Sequence, residues 1–166
     1  MALRNIVLEG DPILKKVCRP VTNFDARLAD LLDDMKETLT KADGLGLAGP
    51  QVGMLRRLCI VLEIDEDGVH EDANGKLIGN FLELVNPEIL SMEGEVVGAE
   101  GCLSFPGKGV EVARPERVTF RAQDRTGKWY TRTVEGINAR CVCHECNHLD
   151  GITILDLGEA YLEDDE

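Results

Sequence analysis

What the chain lacks narrows its class before anything it contains. It has no apolar run of about 18 residues or more, so no segment is expected to span a membrane. The opening stretch, Met1 to Glu9, is too poor in apolar residues for a secretory signal, which points to the cytoplasm. Cations are scarce: 18 Lys and Arg stand against 31 Asp and Glu, a formal net charge of −13. That balance argues against direct, non-specific nucleic-acid binding, which depends on Lys and Arg neutralising phosphates. Repeats, linkers and low-complexity segments are missing, and 166 residues fit a single domain, 1–166, large enough for a hydrophobic core. The acids of Asp65-Glu66-Asp67, Glu71-Asp72 and Glu163-Asp164-Asp165-Glu166 read as solvated loop and tail. Histidine is rare as well, with three in the chain.

Two of those three lie in His144-Glu145-Cys146-Asn147-His148, an HExxH pattern. On a helix, residues four apart share a face, so both imidazoles can hold one metal ion with the Glu beside it as a base. The competing reading is a polar helix face that carries two histidines by chance. Six cysteines are present. In a reducing compartment they are buried thiols, metal ligands or catalytic groups before they are disulfides.

The rest of the chain reads as α+β. Ile6–Leu8 is extended, and Gly10-Asp11-Pro12 is a turn. Thr22 or Asn23 caps an amphipathic helix to about Lys41, with Leu28, Leu31, Leu32, Met35 and Leu39 at helical spacing. Four glycines between Gly44 and Gly53 rule out a regular helix there; no Gly-Lys-Ser/Thr follows, so the phosphate-loop pattern fails. Residues 57–64 form a mostly buried strand, and 65–80 a polar loop with His70 as a surface residue. Short strands are expected at 82–85, 89–92, 95–99, 109–113, 117–123 and 128–134, with Asn86-Pro87 as a break and Asp124–Gly127 as a hairpin turn. The motif helix runs from about Ile137 to Asp150, and Gly151 suits its C-terminal end.

A catalytic site of the zinc type needs three protein ligands and one open position. The metzincin spacing would put a third His at position 154, which is Ile154. Glu159 and Glu163 are downstream candidates, and Cys102, in Glu100-Gly101-Cys102-Leu103-Ser104, is another. A thiolate with two imidazoles is sound chemistry for Zn²⁺ or Fe²⁺. Cys143 and Cys146 are spaced CxxC, which raises a structural zinc or thiol-redox module. At roughly 100° per residue, however, they point away from the His144–Glu145–His148 face. They read as packing, and Cys141 as a pocket wall.

Three motifs now stand in order: Gly44-Leu45-Gly46-Leu47-Ala48-Gly49-Pro50-Gln51, Glu100-Gly101-Cys102-Leu103-Ser104 and His144-Glu145-Cys146-Asn147-His148. Together they resemble the peptide deformylase family, as do Gly10-Asp11-Pro12-Ile13-Leu14 and Val85-Asn86-Pro87-Glu88-Ile89. The resemblance implies antiparallel sheets packed around the HExxH helix. It implies one divalent metal on Cys102, His144 and His148, with Fe²⁺ expected in the cell and Zn²⁺, Ni²⁺ or Co²⁺ accepted. It implies a hydrolase that removes the formyl group from N-formylmethionyl nascent peptides and releases formate, with a transient ribosome contact at most. Glu145 would be the general base. Gln51 and the Leu103 N–H would face the oxyanion, and Gly46 would offer backbone hydrogen bonds to the peptide. Leu45, Ile137 and Cys141 are candidates for the wall of a methionine pocket. The chain departs from the family pattern at Gly49, where Ala is common, at Cys143, where Gln is common, and at Asn147, where Asp is usual. Losing that charge beside a ligand bears on metal affinity. A zincin-type peptidase and an inactive relative are the remaining alternatives.

Overall fold

The first helix is set by its cap. Asp25 is extended, and its carboxylate accepts the Leu28 N–H at 3.0 Å, pairing a donor that the helix itself leaves open. Helix α1 then spans Ala26–Ala42. It starts later than Thr22 or Asn23 would start it, because Asp25 takes the capping role. It stops at Asp43, whose left-handed backbone (φ 59°) turns its N–H onto the carbonyls of Leu39 and Thr40. The computed structural model describes residues 2–64, 70–75 and 77–162.

Among the described residues ten strands follow in chain order: β1 Gly46–Ala48, β2 Leu58–Glu63, β3 His70–Glu71, β4 Leu77–Ile78, β5 Asn80–Glu93, β6 Val96–Glu100, β7 Lys108–Arg114, β8 Arg117–Gln123, β9 Trp129–Glu135 and β10 Ala160–Leu162. Helix α2, Gly136–Leu149, enters between β9 and β10. All ladders between these strands are antiparallel. A five-stranded sheet has the order β1-β2-β5-β8-β9, a three-stranded sheet the order β10-β7-β6, and β3 pairs with β4 alone. The α+β expectation with antiparallel sheets holds. Among the described residues, no helix is long and apolar enough to cross a membrane.

Two local expectations need correction. The stretch 65–80 is not wholly loop, since β3 and β4 form a small ladder within it. His70 pairs with Ile78 and Glu71 with Leu77 through their backbones. The expected exposure of the His70 side chain falls outside the described residues. Second, Asn86-Pro87 does not end a strand. β5 continues through it with a register shift, Asn86 standing at φ 51°. The Asn86 carboxamide accepts the Val21 N–H and donates to the Val21 carbonyl and to Gln123, so the distorted point is tied down from both sides. A bulge is a place where a strand tolerates proline. β5 pairs with β2 up to Val85 and with β8 from Val85 onward.

Burial explains the layering. β2 is buried on both faces: Leu58 and Ile60 pack with Leu28, Leu32, Met35 and Leu39 of α1, whereas Cys59 and Val61 pack with Ala139, Val142 and Leu149 of α2. The period of two thus places the helices on opposite sides of the five-stranded sheet. A third apolar cluster, Leu14, Phe105, Val110, Val112 and Ile154, seats the three-stranded sheet.

Candidate metal centre

Helix α2 is fixed at both ends by glycine. Gly136 opens it at φ 60°, and Gly151 follows it at φ 74°. A Cβ on Gly151 would lie 2.5 Å from the Lys15 carbonyl oxygen, so no other residue fits there without moving backbone. Between these stops, His144, Glu145 and His148 lie on a buried face, and the ring centroids of the two histidines are 5.1 Å apart.

Cys102 reaches the same point from the loop after β6. Donor atoms of Cys102, His144 and His148 all lie within 4.8 Å of one another. Cys102 Sγ is 3.4 Å from His148 Nε2. Tetrahedral coordination with ordinary metal–sulfur and metal–nitrogen lengths puts such a pair about 3.5 Å apart. The donor set therefore fits one divalent ion. Glu100 Oε1 lies 2.9 Å from His144 Nδ1, which assigns the proton to Nδ1 and leaves Nε2 free to ligate.

That Glu100 is itself held. Arg114 binds it twice, Nε to Oε2 at 2.8 Å and Nη2 to Oε1 at 2.9 Å, and Arg140 Nη1 reaches Oε2 at 2.7 Å. Burial would raise its pKa, but the Arg114 and His144 partners outweigh burial and bring it to about 2. Arg114 Nη1 also donates to Asn147 Oδ1 at 2.5 Å, so Asn147 meets the guanidinium without a charge of its own. Burial, with His144 and Arg114 nearby, pushes His148 down to about 3, leaving a neutral imidazole. Burial would also lower His144, yet Glu145, Cys102 and Glu100 together raise it to about 10, so a bound ion must displace a proton there.

Glu145 is 4 % exposed, and burial lifts its carboxyl to about 7. Its Oε1 has no protein hydrogen-bond partner among the described residues. Strand β1 passes directly over it: a Cβ on Gly46 would lie 2.5 Å from Glu145 Oε2. The glycine-rich stretch is thus neither a plain turn nor a phosphate loop. It is an edge strand followed by a 3-10 turn, Gly49–Val52, that carries Gln51. Gln51 is buried. Its Oε1 accepts the Ala48 N–H at 2.9 Å, which turns Nε2 toward Ser104 Oγ (3.2 Å) and Cys102 Sγ (3.4 Å).

A cavity of about 430 Å³ opens onto this group. Leu45, Gly46, Gln51, Cys102, Leu103, Ile137, Cys141, His144 and Glu145 all line it, so the sequence-predicted residues converge; His148 lies behind them, 1 % exposed. Cys143 and Cys146 pack with Cys59 in the core on the far side of the helix, as the helical angles predict. Burial raises the Cys141 thiol to about 12 and that of Cys143 to about 11, which keeps both neutral. Glu159 is exposed and outside the donor cluster, and Glu163 lies outside the described residues. Sequence reasoning missed Arg114, Arg140, Ser104 and the role of Glu100. The available signal was a charged residue, Arg114, closing a strand whose alternate positions are apolar.

Comparison with known proteins identifies the family. The model of the family described as polypeptide deformylase matches residues 3–160. A peptide deformylase of Caldicellulosiruptor bescii is 46% identical over 166 residues, covering 100% of this chain and 92% of the relative. The crystal structure of a peptide deformylase from Legionella pneumophila superposes with TM-score 0.82 at 40% identity, covering 93% of this chain and 85% of that one. A Met-Ala-Ser-bound peptide deformylase from Acinetobacter baumannii superposes with TM-score 0.83 at 30% identity, covering 93% and 98%. By fold, by sequence along nearly its whole length and by the residues gathered at the cavity, the chain belongs to the polypeptide deformylase family.

Proposed function

We propose that Cys102, His144 and His148 hold the divalent ion this family requires, that the ion is Fe²⁺ in the cell, and that Glu145 is the base of the reaction. The enzyme is a hydrolase that removes the N-formyl group from nascent peptides. The observation carrying the assignment is the pairing of a tight Cys-His-His donor set with a desolvated carboxylate one helix position away. A bound divalent ion supplies Lewis acidity and makes water nucleophilic near neutral pH.

The protein's own groups do the rest. Glu145, with its carboxyl raised to about 7, takes the proton of the attacking water and returns it to the departing amine. Gln51 Nε2, aimed by its bond from Ala48 N–H, donates to the formyl oxygen as charge develops there. The Leu103 N–H, next to Cys102, is assigned the same task. Leu45, Ile137 and Cys141 form the apolar wall for the methionine side chain.

Topology supports an extended peptide. β1 and β6 are edge strands of different sheets, and both contribute to the cavity wall, through Gly46 on one side and Ala99 and Glu100 on the other. A peptide between them finds unpaired backbone groups on both sides, with Gly46 offering its own. The relative solved with Met-Ala-Ser supports a substrate of this shape. Since formylated chains emerge at the ribosome, we place the enzyme in the cytoplasm with a transient ribosome contact.

The test is formate release from formyl-Met-Ala-Ser by anaerobically purified protein, alongside its metal content. Formate with one metal per chain, predominantly iron, is expected. Metal without formate, even after Fe²⁺ or Ni²⁺ loading, would make the chain an inactive relative. Formate production that survives complete metal removal would overturn the ligand assignment.

A further inference from the structure

We infer that Arg140 is a positioning residue for substrate, holding strand β6 in place so that the peptide backbone can dock along it. The inference rests on the edge-strand reading of the cavity given above. It starts from how little else anchors β6. Val96 and Val97 are 44% and 63% exposed, Ala99 is also exposed, and the only fully buried side chain on the strand is Glu100. A strand without apolar burial is held by its ladder, here to β7 alone, and by whatever polar groups reach it.

Arg140 supplies those groups from α2. It sits one turn before His144, lines the cavity, and its side chain is 16% exposed. Nη2 donates to the Val96 carbonyl at 2.8 Å, and Nη1 to the Val112 carbonyl at 3.0 Å and to Glu100 Oε2 at 2.7 Å. One guanidinium thereby pins β6, β7 and the carboxylate at the end of β6. Gly98 makes room for it: a Cβ there would lie 3.1 Å from Arg140 Nη2 and 3.3 Å from its Cζ. The planar fork of Arg suits several carbonyls at once, which a Lys ammonium does not match.

The same geometry separates this role from support of the metal centre. Arg114 holds both oxygens of Glu100 without help, so the Glu100–His144 contact survives the loss of Arg140. Removing Arg140 is therefore expected to act on peptide binding and to spare the chemical step.

The test measures KM and kcat for formyl-Met-Ala-Ser and for formyl-Met, which lacks the downstream backbone, using iron-loaded enzyme. Arg140→Leu should raise KM for the tripeptide by roughly tenfold, leave kcat within about twofold and leave formyl-Met kinetics unchanged, the pattern of lost uniform binding. Metal should stay at one per chain, and Arg140→Lys should recover part of the loss. Gly98→Ala, which crowds the guanidinium without removing it, should shift KM in the same direction by a smaller factor, and it carries the test if Arg140→Leu does not fold. An unchanged tripeptide KM in folded, metal-loaded variants overturns the inference. So does an equal loss on formyl-Met, or a joint fall in kcat and metal content. Wild-type enzyme inactive on both substrates would instead refute the functional reading itself.

Discussion

α1 and α2 face each other through the same sheet, and both are amphipathic, but they bury different things. Against the sheet α1 sets Leu28, Leu31, Leu32, Met35 and Leu39, and it also buries Asp34 and Thr38 under Ala2 and Arg4, whereas α2 buries His144, Glu145 and His148 beside Ala139, Val142 and Leu149. An apolar face needs only a complementary surface. A polar face buried to the same depth needs partners at bonding distance, or each group costs free energy. α2 cannot supply them, so they come from distant chain: Glu100 from β6, Arg114 from β7, Cys102 from the intervening loop. The lesson is that a structural helix is specified by its own periodicity, and a catalytic one by what surrounds it.

Substitutions can break or sharpen that contrast. The largest effect is expected from Cys102→Ala, which should abolish stoichiometric metal and activity together; metal analysis after gel filtration that still finds one ion per chain would place the third ligand elsewhere. Next, Glu145→Ala should retain metal and lose at least ~10²-fold in kcat. Gly46→Ala should approach the same loss, because its Cβ occupies the place of the Glu145 carboxylate. On α1, Leu32→Ala should destabilise by about 2–5 kcal/mol in denaturant unfolding, while kcat per folded, metal-loaded molecule stays at the wild-type value. A parallel loss of kcat would mean the two helices are not independent in the way their contacts suggest. Smaller again is a pH effect. As the proposed base Glu145 would act only when ionised, and burial raises its carboxyl to about 7, so kcat/KM should fall about tenfold per pH unit below that value and level off above it. A flat profile between pH 5 and 7 would remove Glu145 from the proton transfer. Smallest, Asn147→Asp puts a carboxylate opposite Arg114 and should tighten metal binding by about a few-fold in chelator competition.

These contrasts also explain what could be read in advance. Leu28 to Leu39 announced α1 because its stability is local, and the four-residue spacing of His144 and His148 announced their shared buried face because it is local too. The face on which Cys143 and Cys146 pack followed from angle alone. Asn86-Pro87 misled because proline removes a ladder donor, while the compensation, a carboxamide reaching Val21 and Gln123, depends on residues far along the chain. Glu100, Arg114 and Arg140 escaped for the same reason: charged residues in or beside strands normally face water, and only the folded register shows these three turned inward. β10 buries none of its own side chains, so no pattern in Ala160–Leu162 could have declared its ladder on β7.

Cys102 and His148 are 46 residues apart, and they meet only when the three-stranded sheet has docked against α2. An ion bridging them closes a long loop and binds the folded chain in preference to the unfolded one. Metal concentration then becomes a thermodynamic variable of folding, worth about 4 kcal/mol when the free ion exceeds its dissociation constant a thousandfold. With the proposed ligands, a cell that withdrew the ion would lose catalysis at once and would also lower the energy needed to undock the sheet, so metal supply would set the lifetime of the protein as well as its rate.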